Sequence, residues 1–335
     1  MMLNTPLVVG AILPLSDAST LVEIFLSGLA KASIYIMITL GLTLVFGLMG
    51  VINFAHGSMT MLGAYLGGAI MVLLVSSGTG DFQRVFFLFI AMAIVFGILS
   101  ILGAVTEVGF VQPLYDRSIV AQLLMLFGLL LIIEEMVRIC LAFYDLNPTA
   151  VWREALFTKP EVFNTKMTVG VVSVNPLHLF QIVVGASFII AVGGFLTKTK
   201  YGLYIRAGSE DSEMAEALGI DISRVFTLIF AIGTGITGIA GVLLMWDPTW
   251  GASVPMSLET LLIAFVVIII GGLGSFKGTL YAGLIIGMVD AVMVWLFQNL
   301  IQFPNLPEIT LFALLVLTLV IRPKGLFGVE EVGEH

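Results

Sequence analysis

Long apolar stretches separated by short polar segments extend along almost the whole chain. A membrane-spanning α-helix needs about 20 consecutive, mostly apolar residues. Stretches of that kind lie near residues 22–49, 58–76, 85–104, 119–143, 177–197, 225–246, 259–275, 279–298 and 308–321. The pattern predicts an all-α, polytopic membrane protein with about nine transmembrane helices. The range is eight to ten, because half-helices near the glycine clusters would change the count by one.

The composition agrees with a chain that faces lipid. Of its 335 residues, 59% are hydrophobic and 11% are charged, against roughly 25% charged residues in an average soluble domain. The net charge of −8 counts against a nucleic-acid-binding protein, which would carry a basic surface. The single cysteine, Cys140, excludes an internal disulfide. Because the three histidines, His56, His178 and His335, are far apart in sequence, a histidine metal site is not expected either.

The distribution of lysine and arginine between the loops indicates the orientation in the membrane. With the C-terminus inside, the cytoplasm receives Arg117, Lys198, Lys200, Arg206, Arg224, Lys277, Arg322 and Lys324. The outside receives Arg84, Arg153, Lys159 and Lys166. We therefore expect the N-terminus outside and the C-terminus in the cytoplasm, with an extracytoplasmic loop at 144–176 that is long enough to fold back on the outer surface. The apolar stretch Pro6 to Leu15 lacks the positive region of a signal peptide and is interpreted as an interfacial lead-in.

Two glycine-rich segments imitate nucleotide-binding motifs. Residues 233–238 read Gly-Thr-Gly-Ile-Thr-Gly, which matches the dinucleotide fingerprint, but they lie inside an apolar run instead of after a strand. Their spacing is typical of close helix packing in lipid, as it is at Gly63/Gly67 and Gly283/Gly287. Residues 272–279 lack the Gly-Lys-Ser/Thr ending of a phosphate loop. We therefore expect this chain to hydrolyse no nucleotide by itself.

The segment 198–224 is the richest polar segment and is predicted to be a cytoplasmic loop with a short helix. Ser209 is a plausible N-cap, and Gly219 is a natural stop for the helix. Met214, Ala217 and Leu218 have helical spacing, which gives one apolar side opposite an acidic one. Such a helix either lies on the bilayer or docks to a protein. Its acidic face favours a protein partner, because anionic lipid would repel it.

Three polar residues interrupt apolar sequence and are candidates for the substrate pathway. Asn53 and His56 lie between Gly50 and Gly57, where the chain either returns into the membrane as irregular backbone or makes a tight cytoplasmic turn. Asp290 lies within a predicted span, where an ionised carboxylate costs about 2.5 kcal/mol or more. It is therefore expected to face protein or water, either in a pathway or in a hydrogen bond between helices.

Four motifs, in order along nearly the whole chain, carry a resemblance to a known family. They are Ile-Asn-Phe-Ala-His-Gly at 52–57, Arg-Ala…Ala…Leu-Gly-Ile at 206–220, Gly-Gly-Leu-Gly-Ser…Gly at 271–278 and Pro-Lys-Gly-Leu-Phe-Gly at 323–328. In these the chain resembles the permease subunit of branched-chain amino acid ABC importers of the Liv type. The resemblance implies that residues 1–335 form one permease domain in a prokaryotic cell membrane.

The same resemblance implies the partners. They are a second, related permease, two cytoplasmic ATPases that bind ATP and Mg²⁺, an external solute-binding protein and the surrounding lipid, with no nucleic acid and no cofactor held by this chain. The helix in 206–220 then corresponds to the coupling helix that fits a groove on an ATPase. Its candidate contact residues are Arg206, Met214, Ala217, Leu218 and Gly219.

Other functions remain open from the residues alone. Urea and amide importers have closely similar permeases, and the loop at 144–176 does not separate them. An ion-coupled secondary transporter would need carboxylates in the membrane. Glu134, Glu135 and Asp290 qualify, although Arg138 is placed to neutralise the first two locally. An intramembrane enzyme would need a nucleophile or metal motif, and we find none in the sequence.

Overall fold

The computed structural model describes residues 18–169, 172–247, 251–301 and 307–327. The lead-in predicted from Pro6 to Leu15 lies outside the described residues. Nine apolar helices form the body of the described chain. They are α1 (Ala18–Met49), α2 (His56–Leu74), α3 (Asp81–Thr106), α4 (Ile119–Ala142), α6 (Pro176–Lys198), α9 (Ile222–Leu244), α10 (Met256–Gly271), α11 (Phe276–Leu296) and α12 (Pro307–Ile321).

These helices correspond one to one with the predicted apolar runs. Seven are long and apolar enough to cross a membrane, and α10 and α12 are shorter apolar helices. The prediction of an all-α, polytopic membrane protein is therefore confirmed. The described residues add a small antiparallel hairpin that was not predicted, formed by β1 (Met167–Val169) and β2 (Val172–Val174) with Thr168 opposite Ser173.

Two helices, α1 and α9, form the centre of the bundle. Both are buried over most of their length, whereas α3, α4, α6 and α11 each leave a broad apolar face exposed. Helix α1 packs against α11, α9 and α6, and α9 packs in addition against α2 and α3. The exposed faces contain residues such as Phe82 and Ile101, as expected for helices surrounded by lipid.

Glycines bring the central helices into backbone contact. A Cβ added at Gly41 would lie 2.5 Å from the carbonyl oxygen of Gly233, and one added at Gly63 would lie 2.2 Å from that of Gly238. On the other side of α1, a Cβ at Gly287 would lie 2.4 Å from the backbone nitrogen of Ala32. The structure thus confirms that the Gly-Thr-Gly-Ile-Thr-Gly segment packs helices and is not a nucleotide loop.

The loop at 144–176 folds back over the ends of the helices, as predicted. It contains α5 (Arg153–Phe157), a 3₁₀ turn at Glu161–Phe163 and the β hairpin. The Trp152 amide donates to the Ala252 carbonyl at 3.0 Å, and the Trp246 indole donates to the Ala155 carbonyl at 3.1 Å. These contacts fix the loop to the segment before α10.

The loop at 198–224 contains two helices instead of one. Helix α7 (Lys200–Glu210) is capped by Thr199, whose hydroxyl accepts from the Gly202 amide at 3.0 Å, and α8 (Ser212–Ala217) follows it. The predicted N-cap at Ser209 is wrong, because Ser209 is the penultimate residue of α7. The carboxylate of Asp211 caps α8 instead, accepting from the Met214 amide at 2.9 Å. The predicted stop at Gly219 is confirmed by its φ of 86°.

Replacing Gly287 by leucine should destabilise the fold, because the new side chain would meet the backbone of α1 at Ala32. Overpacking of this kind costs about 1–3 kcal/mol. The control is Gly97→Leu in α3, since a Cβ there meets no atom within 4 Å. Thermal unfolding of the purified protein in detergent should show a lower midpoint for Gly287→Leu than for Gly97→Leu. Equal midpoints would contradict the packing described for α1 and α11.

Candidate functional site

The segment 50–55, between α1 and α2, returns into the middle of the bundle. The imidazole of His56, at the start of α2, lies 2.7 Å from the carbonyl oxygen of Ile38. Ile38 precedes the end of α1 by eleven residues, or about 16 Å along the helix axis. Gly50, with a φ of 63°, reverses the chain direction. Of the two alternatives from sequence, the structure therefore shows irregular backbone at depth, buried in protein as lipid requires.

His56 ties three helices together. Its Nε2 atom lies 2.7 Å from the carbonyl oxygen of Ile38 in α1 and 2.8 Å from the hydroxyl oxygen of Thr237 in α9. Because the carbonyl can only accept, the network assigns the proton to Nε2. The Thr237 hydroxyl then accepts from His56 and donates to the Gly233 carbonyl at 2.9 Å. His56 is 1% exposed and donates through Nε2 to groups of two other helices.

Several polar groups around His56 are buried without a hydrogen-bond partner among the described residues. They are both side-chain polar atoms of Asn53, Nδ1 of His56 and the hydroxyls of Thr60 and Ser257. The starts of α2 and α10 touch here, since a Cβ on Gly57 would lie 2.0 Å from the Ser257 carbonyl oxygen. Most buried polar groups in proteins are hydrogen-bonded, so this cluster is an unusual concentration of unused donors and acceptors.

Asp290 belongs to a separate site. Its Oδ2 atom accepts from Lys31 Nζ at 2.8 Å and from the Tyr35 hydroxyl at 2.5 Å, and the residue is 5% exposed. The structure therefore brings Asn53 and His56 together but not Asp290 with them. Tyr35 and Ile38 are nevertheless neighbours on α1, so the two polar sites lie about one helical turn apart along that helix. Asp290 makes the interhelical hydrogen bond that was one of its two predicted roles.

The two partners of Asp290, Lys31 and Tyr35, were not predicted from the sequence. A signal was present, because Lys31 is a cation inside the first apolar run and Tyr35 follows it at i+4, on the same helix face. The sequence does not show that this face of the helix contacts Asp290, 259 positions later. Arg138 and Glu135 form the predicted local pair, with Nε and Oε2 3.9 Å apart.

A second buried carboxylate was also missed. Glu107 is fully buried where α3 continues into a π-helical turn, Glu107–Val111, and a short 3₁₀ turn, Gln112–Leu114. It accepts from the Tyr115 hydroxyl and, at 2.5 Å, from the Thr227 hydroxyl. Burial raises the pKa of the Tyr115 phenol, and the adjacent carboxylate raises it further. The phenol thus remains a donor, and Glu107 joins the ends of α3 and α9.

The predicted coupling residues form an exposed surface on and beside α8. Met214 and Leu218 are 58% and 76% exposed, which is high for large apolar side chains in a polar loop. Arg206, Ala217 and Gly219 are exposed as well. Ala215 is the residue of α8 that packs inward, at 2% exposure. In the described part of the chain, Met214 and Leu218 therefore form an exposed apolar pair with acidic residues beside it.

Substitutions at His56 should distinguish its two ring nitrogens. Glutamine places an amide donor near the Nε2 position, whereas asparagine places one near Nδ1. We expect His56→Gln to retain most of the thermal stability in detergent, and His56→Asn and His56→Leu to lose about 1–3 kcal/mol, because the buried hydrogen bonds from Nε2 to the Ile38 carbonyl and the Thr237 hydroxyl are lost. A loss for His56→Gln as large as for His56→Leu would contradict the assigned hydrogen bond.

Comparison with known proteins agrees with this architecture. Residues 24–320 match the model of a family described as the branched-chain amino acid transport system, permease component. The high-affinity branched-chain amino acid transport permeases BraD of Pseudomonas aeruginosa and LivH of Escherichia coli are each 28% identical over 91% of this chain and 95% of their own length. A probable branched-chain amino acid permease LivH of Methanocaldococcus jannaschii is 25% identical over 89% of this chain and 90% of its own. No solved structure matches the chain. The chain belongs to the permease family of the branched-chain amino acid transport systems and is a multi-pass membrane protein.

Proposed function

We propose that this chain is the membrane-spanning subunit of an ATP-driven importer for leucine, isoleucine and valine. The observation that carries the proposal is the family match over residues 24–320, together with relatives named for branched-chain amino acid transport that align along almost their whole length. The chain itself contributes the path across the membrane. Energy comes from separate ATPase subunits, which hold ATP and Mg²⁺.

The proposed complex contains a second, related permease, two cytoplasmic ATPases and an extracytoplasmic solute-binding protein. The surface formed by Met214 and Leu218 supports an ATPase dock, because two large apolar side chains project there beyond the membrane helices. Glu213 and Glu216 flank them, so the complementary groove should combine apolar and basic residues. Arg206, Ala217 and Gly219 complete the proposed contact surface.

The dock also defines the proposed orientation. A loop that binds a cytoplasmic ATPase must lie inside the cell, which places the C-terminus in the cytoplasm and the N-terminus outside. The excess of lysine and arginine on the same side supports this arrangement. The loop at 144–176 then lies outside, where a solute-binding protein delivers its ligand.

Asn53, His56 and Asp290 are proposed to lie along the substrate pathway. Their burial at depth in the bundle, the unpaired polar atoms of Asn53 and the cleft beside Asp290 support this assignment. Polar groups within a span are costly and commonly mark the route of a polar substrate.

Transport by the purified complex tests the function directly. Reconstituted in vesicles with its partner subunits, the permease should support ATP-dependent uptake of radiolabelled leucine, isoleucine or valine, and the isolated chain should hydrolyse no ATP. Uptake of urea without uptake of leucine would assign the complex to the urea and amide importers. ATP hydrolysis by the chain alone would overturn the assignment.

Replacing Leu218 by aspartate should uncouple the permease from its ATPase. The change places an unpaired charge in the docking groove, at a cost on the order of a few kcal/mol, but Leu218 is 76% exposed, so folding should be unaffected. We expect ATPase copurification and uptake to fall together. Ser212→Asp adds the same charge to the same helix outside the apolar pair, and Glu210→Ala changes a neighbouring exposed residue; both should behave as wild type. Unchanged copurification for Leu218→Asp would remove both the dock and the orientation that depends on it.

A further inference from the structure

A second cleft opens between α2, the end of α4 and the loop at 144–176. Its volume is about 290 Å³. A cavity of about 150 Å³ holds benzene, which has six non-hydrogen atoms, so this cleft has room for the nine of leucine or isoleucine. None of its lining residues belongs to the cluster around Asn53 or to the site of Asp290.

A buried phenol lines this cleft. Tyr65 in α2 is 9% exposed, and its ring lies against that of Trp152, with the ring centroids 6.2 Å apart. The Tyr65 hydroxyl makes no hydrogen bond within the described part of the chain. Because buried hydroxyls are normally hydrogen-bonded, this group is available to a ligand in the cleft.

Three charged side chains line the same cleft. Asp145 and Glu154 contribute carboxylates, and Arg153 contributes a guanidinium. Among the described residues, none of the three side chains forms a hydrogen bond or an ion pair. A free amino acid carries one ammonium and one carboxylate, and the cleft offers a charge of the opposite sign to each.

The backbone at Asp145 is of a kind that usually carries glycine. Its φ of 52° makes Asp145 the one described residue other than glycine with a positive φ. The Leu146 amide donates to the Leu141 carbonyl at 3.1 Å, a bond that ends a helix through a left-handed residue. Aspartate adopts this conformation more readily than most other residues, and here it places a carboxylate at the cleft.

The wall formed by the loop is held in place by backbone hydrogen bonds. The Val254 amide donates to the Pro148 carbonyl at 2.8 Å, and the Trp152 amide donates to the Ala252 carbonyl at 3.0 Å. Both bonds tie the loop to the segment before α10. A site that is already formed loses less entropy when a ligand binds.

We propose that this cleft receives the free amino acid on the outer side of the membrane. The substrate ammonium binds at Asp145 and Glu154, and the substrate carboxylate binds at Arg153 and the Tyr65 hydroxyl. The aliphatic side chain lies against the branched residues of the lining, which are Leu141, Leu146 and Val151. This inference rests on the proposed function and its orientation, which place the loop at 144–176 outside.

The chemistry of the lining favours an aliphatic amino acid over urea and short amides. Urea has neither a charged group nor an aliphatic part, so it would leave the charges and the branched side chains of the cleft without partners. Asp145, Arg153 and Glu154 are exposed, and water therefore weakens their contacts. Weak binding suits a site that passes its ligand on.

Binding of free leucine to the permease complex, without the solute-binding protein, tests the inference directly. In lipid nanodiscs, a saturation-transfer NMR titration with L-leucine should give a saturable signal from the ligand methyl groups. Tyr65→Phe should weaken this binding by about three- to tenfold, because one hydrogen bond to the carboxylate is lost. The control Tyr144→Phe removes an exposed hydroxyl in the same loop, outside the cleft lining, and should bind leucine as wild type does.

Ligands that lack one charge assign the two poles of the site. The wild type should bind leucine more tightly than leucinamide, which lacks the carboxylate, and Arg153→Gln should bind the two equally. The double variant Asp145→Asn/Glu154→Gln should bind leucine and 4-methylpentanoate, which lacks the ammonium, equally. Asparagine also tolerates a positive φ, so the backbone is retained. Glu161→Gln removes an exposed charge of the same loop outside the cleft lining and should preserve both preferences.

The outcomes separate this inference from the proposed function. If the wild-type complex imports none of leucine, isoleucine and valine, the proposed function fails. If it imports leucine but shows no saturable binding, or if the cleft variants bind and import leucine as wild type does, the site is wrong while the function stands. Cleft variants that weaken capture of the solute-binding protein, in a permease that binds no free leucine, would make the cleft a protein contact and overturn the inference.

Discussion

Hydrocarbon offers no hydrogen bonds, and the interior of this protein is organised around that constraint. Helix α1 supplies much of what the polar groups need. Its Ile38 carbonyl accepts from His56, and its Lys31 and Tyr35 side chains donate to Asp290. Helix α1 thus supplies hydrogen-bond partners to polar residues of two neighbouring helices within about two turns. The cluster around Asn53, in which buried atoms lack described partners, stands out against this background.

These polar contacts require short distances between helix axes. The glycines of α1, α2, α9 and α11 allow backbone to approach backbone, and at Gly41 the missing side chain also leaves room for the His56 ring, whose Cε1 would be 2.7 Å from a Cβ at that position. Small residues at helix interfaces substitute for the hydrophobic driving force that lipid does not provide. The hydrogen bonds between helices therefore require the close packing that these glycines allow.

The fold was largely predictable from the sequence, because the main constraint on a helix in lipid can be read from its own residues. Each helix in lipid must satisfy its backbone hydrogen bonds within itself, so apolar runs in the sequence located all nine described helices, of which seven are long enough to span a membrane. The site was harder to predict from the sequence, because it depends on contacts between residues that lie far apart in the chain. Nothing near Asp290 in the sequence indicates that it pairs with Lys31. In the same way, nothing near residues 50–55 indicates that His56 reaches an acceptor in α1.

The helix cap at Ser209 was predicted wrongly for a local reason. Both Ser209 and Asp211 are acceptable N-caps, and Ser209 is excluded only because a helix capped by Thr199 already contains it. The glycine stop at 219 was predictable because its positive φ is a local property.

Helix α1 is longer than the membrane is thick. Its 32 residues span about 48 Å, against a hydrocarbon core of about 30 Å. Near its first turn, Glu23 pairs with Lys166 of the loop at 144–176 at 2.5 Å, and near its last turn Leu48 lies against Gly208 of α7. An α-helix resists changes in length, so α1 is a rigid connection between the contacts at its two ends. Helix α1 thus connects α7 to the loop at 144–176 through one continuous helix, and His56 and Asp290 contact it between those two ends.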